Sequence, residues 1–302
     1  IQDKKELIII PDQSLLSIPF EILIDPEESP EDNNYKNQNW LGKKYAISYY
    51  PSLYSFYNLN QIEFKQAKND FLGFGDPKFK SDKNIKTAKI DYTKIYSRGM
   101  ANPEEIRKMS ELPETKDELT YIANIFKDKS KLYLGKEFNE NVVKSINLKD
   151  YKYISFATHA VIANQINNIA EPGLVLTPPD KSSKENDGIL TVSEIEKLNL
   201  QSDIVILSAC NTASEDGSPN AQGLSGLASA FFQAGTKSIL VTHWDVETNS
   251  AVKLTTGTFK KLKNTKNLSK ALQQTKVEMI NDSKTSHPMF WAPFVLIGNF
   301  NQ

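Results

Sequence analysis

Two short apolar runs, each ending in a residue with its own chemistry, set the tightest limit on what this chain can fold into. Tyr153 to Thr158 leads into His159, and Asp203 to Leu207 leads through Ser208 and Ala209 into Cys210. Both are rich in β-branched or aromatic residues and nearly free of charge, the pattern of strands covered on both faces of a parallel sheet. Parallel neighbours need long crossovers, and helical stretches supply them. Leu119, Ile122, Ala123 and Phe126 share one helix face, as do Leu224, Leu227, Ala228 and Phe231, and Leu268, Ala271, Leu272, Thr275 and Met279. Ser238 to Thr242 and Phe294 to Ile297 add further core strands. The alternation predicts an α/β fold with a mainly parallel central sheet sandwiched between helices.

The flanking segments fill in that plan. Leu7 to Ile10, Tyr45 to Tyr50, Phe71 to Phe74 and Lys131 to Leu134 read as strands, and Asp25 to Asn39 as a solvated loop. From 81 to 111 no periodicity lasts, which reads as a processing or regulatory loop. Thr115 with Glu118, and Thr191 with Glu194, have capping-box spacing, and Asn139 is placed to cap a helix burying Val142, Val143 and Ile146. Ser214 to Asn220 reads as a loop, and Gly235 ends the helix before the strand at 238. The whole chain, 1–302, is expected to be one domain, with an N-terminal subregion 1–111 and a catalytic core 112–302.

Composition narrows the function. Cys210 is the 1 cysteine among 302 residues, so no intrachain disulfide forms and a reducing, cytoplasmic setting is expected. With 36 basic and 37 acidic side chains, charge gives no reason to expect nucleic acid or an anionic membrane as partner. No apolar run approaches the roughly 18 residues of a membrane span. One Cys and three scattered His are poor material for a zinc site, and Gly223 to Gly226 has neither dinucleotide nor phosphate-loop spacing. No metal or cofactor is expected.

A thiol at the carboxyl end of a parallel strand sits where α/β sheets collect their chemistry. If the two runs are neighbours pointing the same way, His159 meets Cys210 at that rim and can take its proton, leaving the nucleophilic thiolate. The competing reading makes Cys210 a small core residue and His159 a core histidine satisfied by a carbonyl. His243, also at a strand end, is the rival base; His287 precedes Pro288 with no strand to deliver it.

Five ordered motifs then resemble the CHAT family, a group within the clan of caspases, separase and gingipains. They are Phe156 to Ala160, Leu207 to Ala213, Gly223 to Gly235, His243 to Val246, and His287 to Gly298; Leu7 to Asp12 with Ile18 to Leu23 is similar to the family's opening. A histidine about 50 residues before the cysteine is also the caspase spacing. The resemblance implies a caspase-like sandwich fold and a bacterial, regulated cysteine endopeptidase with His159 and Cys210 as catalytic dyad. It further implies an oxyanion hole from the amides of Cys210 and Ala160, the latter glycine in many relatives. Trp244 and Asp245 would line the substrate cleft, with Asp245, or else Asp216 or Glu247, favouring Arg or Lys before the cut. The bland alternative for Asp245 is to cap the helix beginning near Asn249. A protein substrate is implied, together with an upstream sensor or repeat region or an activating partner, since the chain opens within a few residues of its first strand. A catalytically silent, protease-shaped interaction module and an amidase are the rival functions.

Overall fold

Successive residues of the core strands face opposite ways, and each face has its own set of helices. Ile154, Phe156, Val205, Leu207, Ile239, Val241, Val295 and Ile297 pack on one side; Tyr153, Ala157, Ile204, Ile206, Leu240, Phe294 and Leu296 pack on the other. That two-residue period is what a strand buried on both faces requires. The computed structural model describes residues 3–12, 15, 18–25, 27, 30, 34–63, 65–79, 96–97, 100–161, 171–208, 226–244 and 246–298.

In chain order the strands are β1 (Glu6–Ile9), β2 (Ala46–Tyr49), β3 (Asn69–Gly75), β4 (Tyr96–Ser97), β5 (Met100–Ala101), β6 (Ser130–Leu134) and β7 (Tyr151–Ala157). There follow β8 (Ala160–Val161), β9 (Gly173–Val175), β10 (Ile189–Thr191), β11 (Ile204–Ser208), β12 (Ser238–Thr242) and β13 (Phe294–Gly298). The helices are α1 (Leu41–Lys44), α2 (Leu53–Gln61), α3 (Pro103–Ile106), α4 (Glu114–Phe126) and α5 (Glu140–Ser145). The rest are α6 (Val192–Ile195), α7 (Gly226–Ala234), α8 (Thr248–Thr265), α9 (Leu268–Asn281) and α10 (Pro288–Trp291).

Eight strands form one sheet in the order β1-β2-β13-β12-β11-β7-β3-β6. Every neighbouring pair is parallel except β12 with β13. The expected mainly parallel sheet is present. Helices α5, α6 and α7 cover one face, through Val143, Ile195, Leu227 and Phe231. Helices α4, α8, α9 and α10 cover the other, through Leu119, Ile122, Leu254, Phe259, Leu272 and Trp291. A small antiparallel sheet, β10-β9-β8, extends from the end of β7.

Most local expectations hold. Asn139 caps α5 by accepting from the Val142 amide at 3.1 Å, and Thr191 with Glu194 forms a capping box. Gly235 leaves α7 at φ +108°, a conformation only glycine adopts freely, and an added Cβ would lie 2.6 Å from the Leu200 carbonyl oxygen.

Three expectations fail. Ile146 lies just past α5 as its C-terminal cap. The stretch 81–111, expected to be a loop, contains the β4–β5 hairpin and α3, capped by Asn102 with Pro103 in the first turn. Ile106 and Met109 there are buried against Val161, Val175 and Ile189. Helix α4 is not opened by a Thr115–Glu118 capping box. Thr115 is already inside the helix, with its hydroxyl donating to the Leu112 carbonyl and accepting from the Asp76 amide. Glu118 points inward and is 1% exposed. The expected loop 214–220 and Leu224 lie outside the described residues.

Candidate active site

Strands β7 and β11 are parallel neighbours, with Ala157 directly beside Ser208. His159 follows two residues after Ala157, and Cys210 lies two residues after Ser208 in the sequence. Two residues span at most about 7 Å of chain, and paired strands lie about 4.8 Å apart. The register therefore sets the two strand ends, Ala157 and Ser208, side by side at the sheet's carboxyl rim. Cys210, Asp216 and Asp245 themselves lie outside the described residues.

His159 is held from several sides. The Thr158 hydroxyl donates to the Val175 carbonyl, and the Val175 amide donates to the His159 carbonyl at 2.9 Å, fixing the backbone against β9. The ring stands 5.6 Å, centroid to centroid, from Phe79, and Nε2 is 2.8 Å from the Ser110 carbonyl oxygen. A carbonyl only accepts, so Nε2 carries the proton and Nδ1 is left as the basic atom. Burial pulls the imidazole pKa below its usual value, against the raising effect of the Ser110 contact. The ring is thus kept neutral, the form a general base needs.

The next residue, Ala160, opens β8 opposite Leu174. Because the neighbouring pair His159–Val175 is the hydrogen-bonded one, antiparallel alternation turns the Ala160 N–H away from β9.

Of the two rival histidines, His287 has its ring engaged in a helix cap and His243 is anchored through its backbone. His243 sits just past β12, its amide donating to the Pro293 carbonyl at 3.0 Å. Its buried ring has an Nδ1 without a partner among the described residues, and burial pushes its pKa down to about 4. His287 caps α10, with Nδ1 accepting from the Met289 amide at 3.1 Å. Trp244 packs against the α8 side of the core and donates from Nε1 to the Met289 carbonyl at 3.3 Å. The capping role at the start of α8 belongs to Glu247, which accepts from the amides of Asn249 and Ser250. That both replaces the bland alternative for Asp245 and commits Glu247 elsewhere.

Two groups at this rim were given no part in the site by the sequence, which read Glu118 only as a helix-capping residue. The Ser110 carbonyl orients His159, and no sequence signal marks a backbone oxygen. Glu118 lines a cavity of about 60 Å³ with His159, Ser208, Thr158, Leu112 and Val246. It did carry a signal, since it stands one turn before Ile122 on the apolar face of α4. Its carboxylate accepts from the Thr255 hydroxyl at 2.7 Å and from the Ser208 hydroxyl at 3.4 Å, and burial raises its pKa to about 7. Among the described residues no cluster of His, Cys, Asp and Glu is arranged to hold a metal ion.

The CHAT domain family model matches residues 1–299. Tetratricopeptide repeat protein 28 of Mus musculus is 32% identical over 112 residues, which are 37% of this chain and 4% of that protein. The complex of pro- and mature domains of RgpB from Porphyromonas gingivalis matches with TM-score 0.55 at 10% identity, covering 98% of this chain and 64% of that one. The Arg-specific cysteine proteinase gingipain R (RgpB) matches with TM-score 0.50 at 10% identity, covering 93% and 59%. The likeness to both structures is one of fold, and the chain spans under two thirds of the length of each of these proteins.

Proposed function

Because this chain belongs to the CHAT domain family, with the α/β fold of caspase-like cysteine peptidases, we propose that it is a cysteine endopeptidase using Cys210 and His159. The observation that carries this reading is the parallel pairing of β7 with β11, which sets Ala157 beside Ser208 two residues short of each reactive group. The thiol proton passes to Nδ1 of His159, and the thiolate attacks the scissile carbonyl. Protonated His159 then delivers that proton to the departing amine, and water hydrolyses the thioester.

The tetrahedral oxyanion is met by the amides of Ala160 and Cys210. In support, the Ala160 N–H is turned away from the β9 ladder, and alanine keeps the donor that glycine supplies in relatives. The chain cuts after Arg or Lys, with Trp244, Asp245 and Asp216 lining the subsite. The Arg-specific fold neighbour is consistent with that choice. Activity is governed by an upstream repeat or sensor region or by a partner, an arrangement in keeping with the repeat protein from mouse whose segment matches. The single thiol suits work in a reducing cytoplasm on a protein substrate.

The test is to treat the protein with peptide electrophiles bearing Arg or Asp at the first position before the reactive group, and to locate adducts by mass spectrometry. The Arg reagent is expected on Cys210, and the Asp reagent is not. Peptide turnover is expected to vanish in Cys210→Ala and to fall by about 10³-fold or more in His159→Ala. Turnover unaffected by either change would overturn the mechanism. A protein whose thiol reacts with iodoacetamide but with no peptide reagent would be the silent, protease-shaped module instead.

A further inference from the structure

Glu118 stands apart from the other buried acids. Of the six acidic side chains that are buried among the described residues, four have a lysine partner: Glu21 with Lys276, Asp76 with Lys78, Glu105 with Lys108, and Glu140 with Lys144. A fifth, Asp187, accepts from the amides of Ala101 and Ile189. Among the described residues Glu118 has only two hydroxyls as partners, and one of them is shared. The Thr255 hydroxyl has a single hydrogen and also lies 3.0 Å from the Ala251 carbonyl, while the Ser208 contact is long at 3.4 Å. An ionised carboxylate buried with so little compensation is costly, and a cation is the group that removes the cost.

The space for such a cation is next to it. The cavity of about 60 Å³ is well above the roughly 15 Å³ one water needs. Besides Glu118 its polar wall is made of hydroxyls, from Thr115, Thr158, Ser208, Thr242 and Thr248. Hydroxyls accept, and a guanidinium brings five N–H donors in a planar fork of which a carboxylate takes two. Ser208 lies two residues before Cys210, at most about 7 Å of chain away, a span an extended arginine side chain can bridge. His159 forms another part of the same wall.

We propose that Glu118 is a further specificity-determining residue, the carboxylate that receives the guanidinium of the arginine preceding the cut. This rests on the peptidase reading above and adds to it a second acid, contributed by α4, besides Asp245. With its pKa raised to about 7 by burial, Glu118 is partly protonated in the empty protein near neutral pH. Arginine binding then displaces a proton, so preference for arginine grows as pH rises through that value.

The experiment has two arms. In the first, Cys210 is labelled by peptide electrophiles bearing arginine or its uncharged isostere norleucine. The ratio of the two rates cancels the titration of the dyad itself. The ratio is expected to rise from about pH 6 to about pH 8, and to fall by about 30-fold in Glu118→Gln, with iodoacetamide labelling and thermal midpoint not reduced. Glu118→Gln keeping the full ratio, or the ratio collapsing only in Asp245→Asn, overturns the assignment. In the second arm, N-acetylarginine amide and N-acetylnorleucine amide are titrated against Cys210→Ala and read by ligand-observed NMR. Binding of the arginine compound that Glu118→Gln abolishes supports the cation site independently of the thiol; equal binding with and without the carboxyl, or no binding, overturns it. Arginine binding without any labelling of Cys210 would leave the cation site standing and sink the peptidase reading alone.

Discussion

At the scale of single residues, Glu118 ties stability to pH with a definite sign. Its pKa of about 7 in the folded chain lies above the ordinary 4.5, so the folded state holds the proton more tightly than the unfolded one. Stability therefore falls as pH rises through that window, and above it the full penalty of the buried charge is present. Glu118→Gln is expected to leave urea unfolding near pH 4 unchanged and to stabilise the protein near pH 8. The gain is up to about 3 kcal/mol, because each tenfold difference in proton affinity between the folded and unfolded chain is worth about 1.4 kcal/mol. A variant equally destabilised at both values would show that the carboxyl is a needed hydrogen-bond acceptor instead. The sequence singled out Cys210 and His159 as candidates because a lone thiol and a strand-end imidazole are rare side chains in telling places. Glu118 stayed hidden because a carboxylate three residues after a threonine has a cheaper local explanation, and only the turn of α4 toward Ser208 and Thr255 shows that this explanation is unused.

Among the elements, the core strands were legible and the support around His159 was not. Strands buried on both faces leave an apolar signature of their own, so β7, β11, β12 and β13 lie within a residue or two of their expected bounds. Between 81 and 111, by contrast, the short α3 has too few residues to establish a period. Its start is marked only by Asn102 and Pro103, yet the turn after it carries the carbonyl that orients the imidazole. Tertiary contact, through Ile106 and Met109 against β8 and β9, holds what local propensity does not. The link from α7 to β12 makes a sharper demand. Gly235→Ala places a methyl against the Leu200 carbonyl at a positive φ, and is expected to cost about 1–3 kcal/mol or more by displacement of the denaturation midpoint. A neutral result would mean that this loop moves easily, contrary to its packing.

For the molecule as a whole, one buried ion pair fastens regions far apart in sequence. Lys276 of α9 lies 2.7 Å from Glu21 and 2.6 Å from the Phe294 carbonyl of β13, and Glu21 also accepts from the Tyr49 hydroxyl of β2. Lys276→Met strands Glu21 without its cation and is expected to destabilise by about 3–5 kcal/mol in urea titration. Adding Glu21→Gln should recover part of that loss; if it recovers none, the lysine acts through its contact with β13 instead. The sheet order has a consequence for how the molecule is made. Strands β1 and β2 leave the ribosome before the rest of the sheet, but among the described residues β2 is joined to the later strands only through β13, with Tyr49 opposite Ile297. During translation, at about 5–20 residues per second, the two earliest strands must wait for nearly the whole chain before their neighbour exists. Nascent chains stalled before Phe294 are expected to stay open to proteases around Ala46 to Tyr49, a vulnerable interval that a chaperone would have to cover.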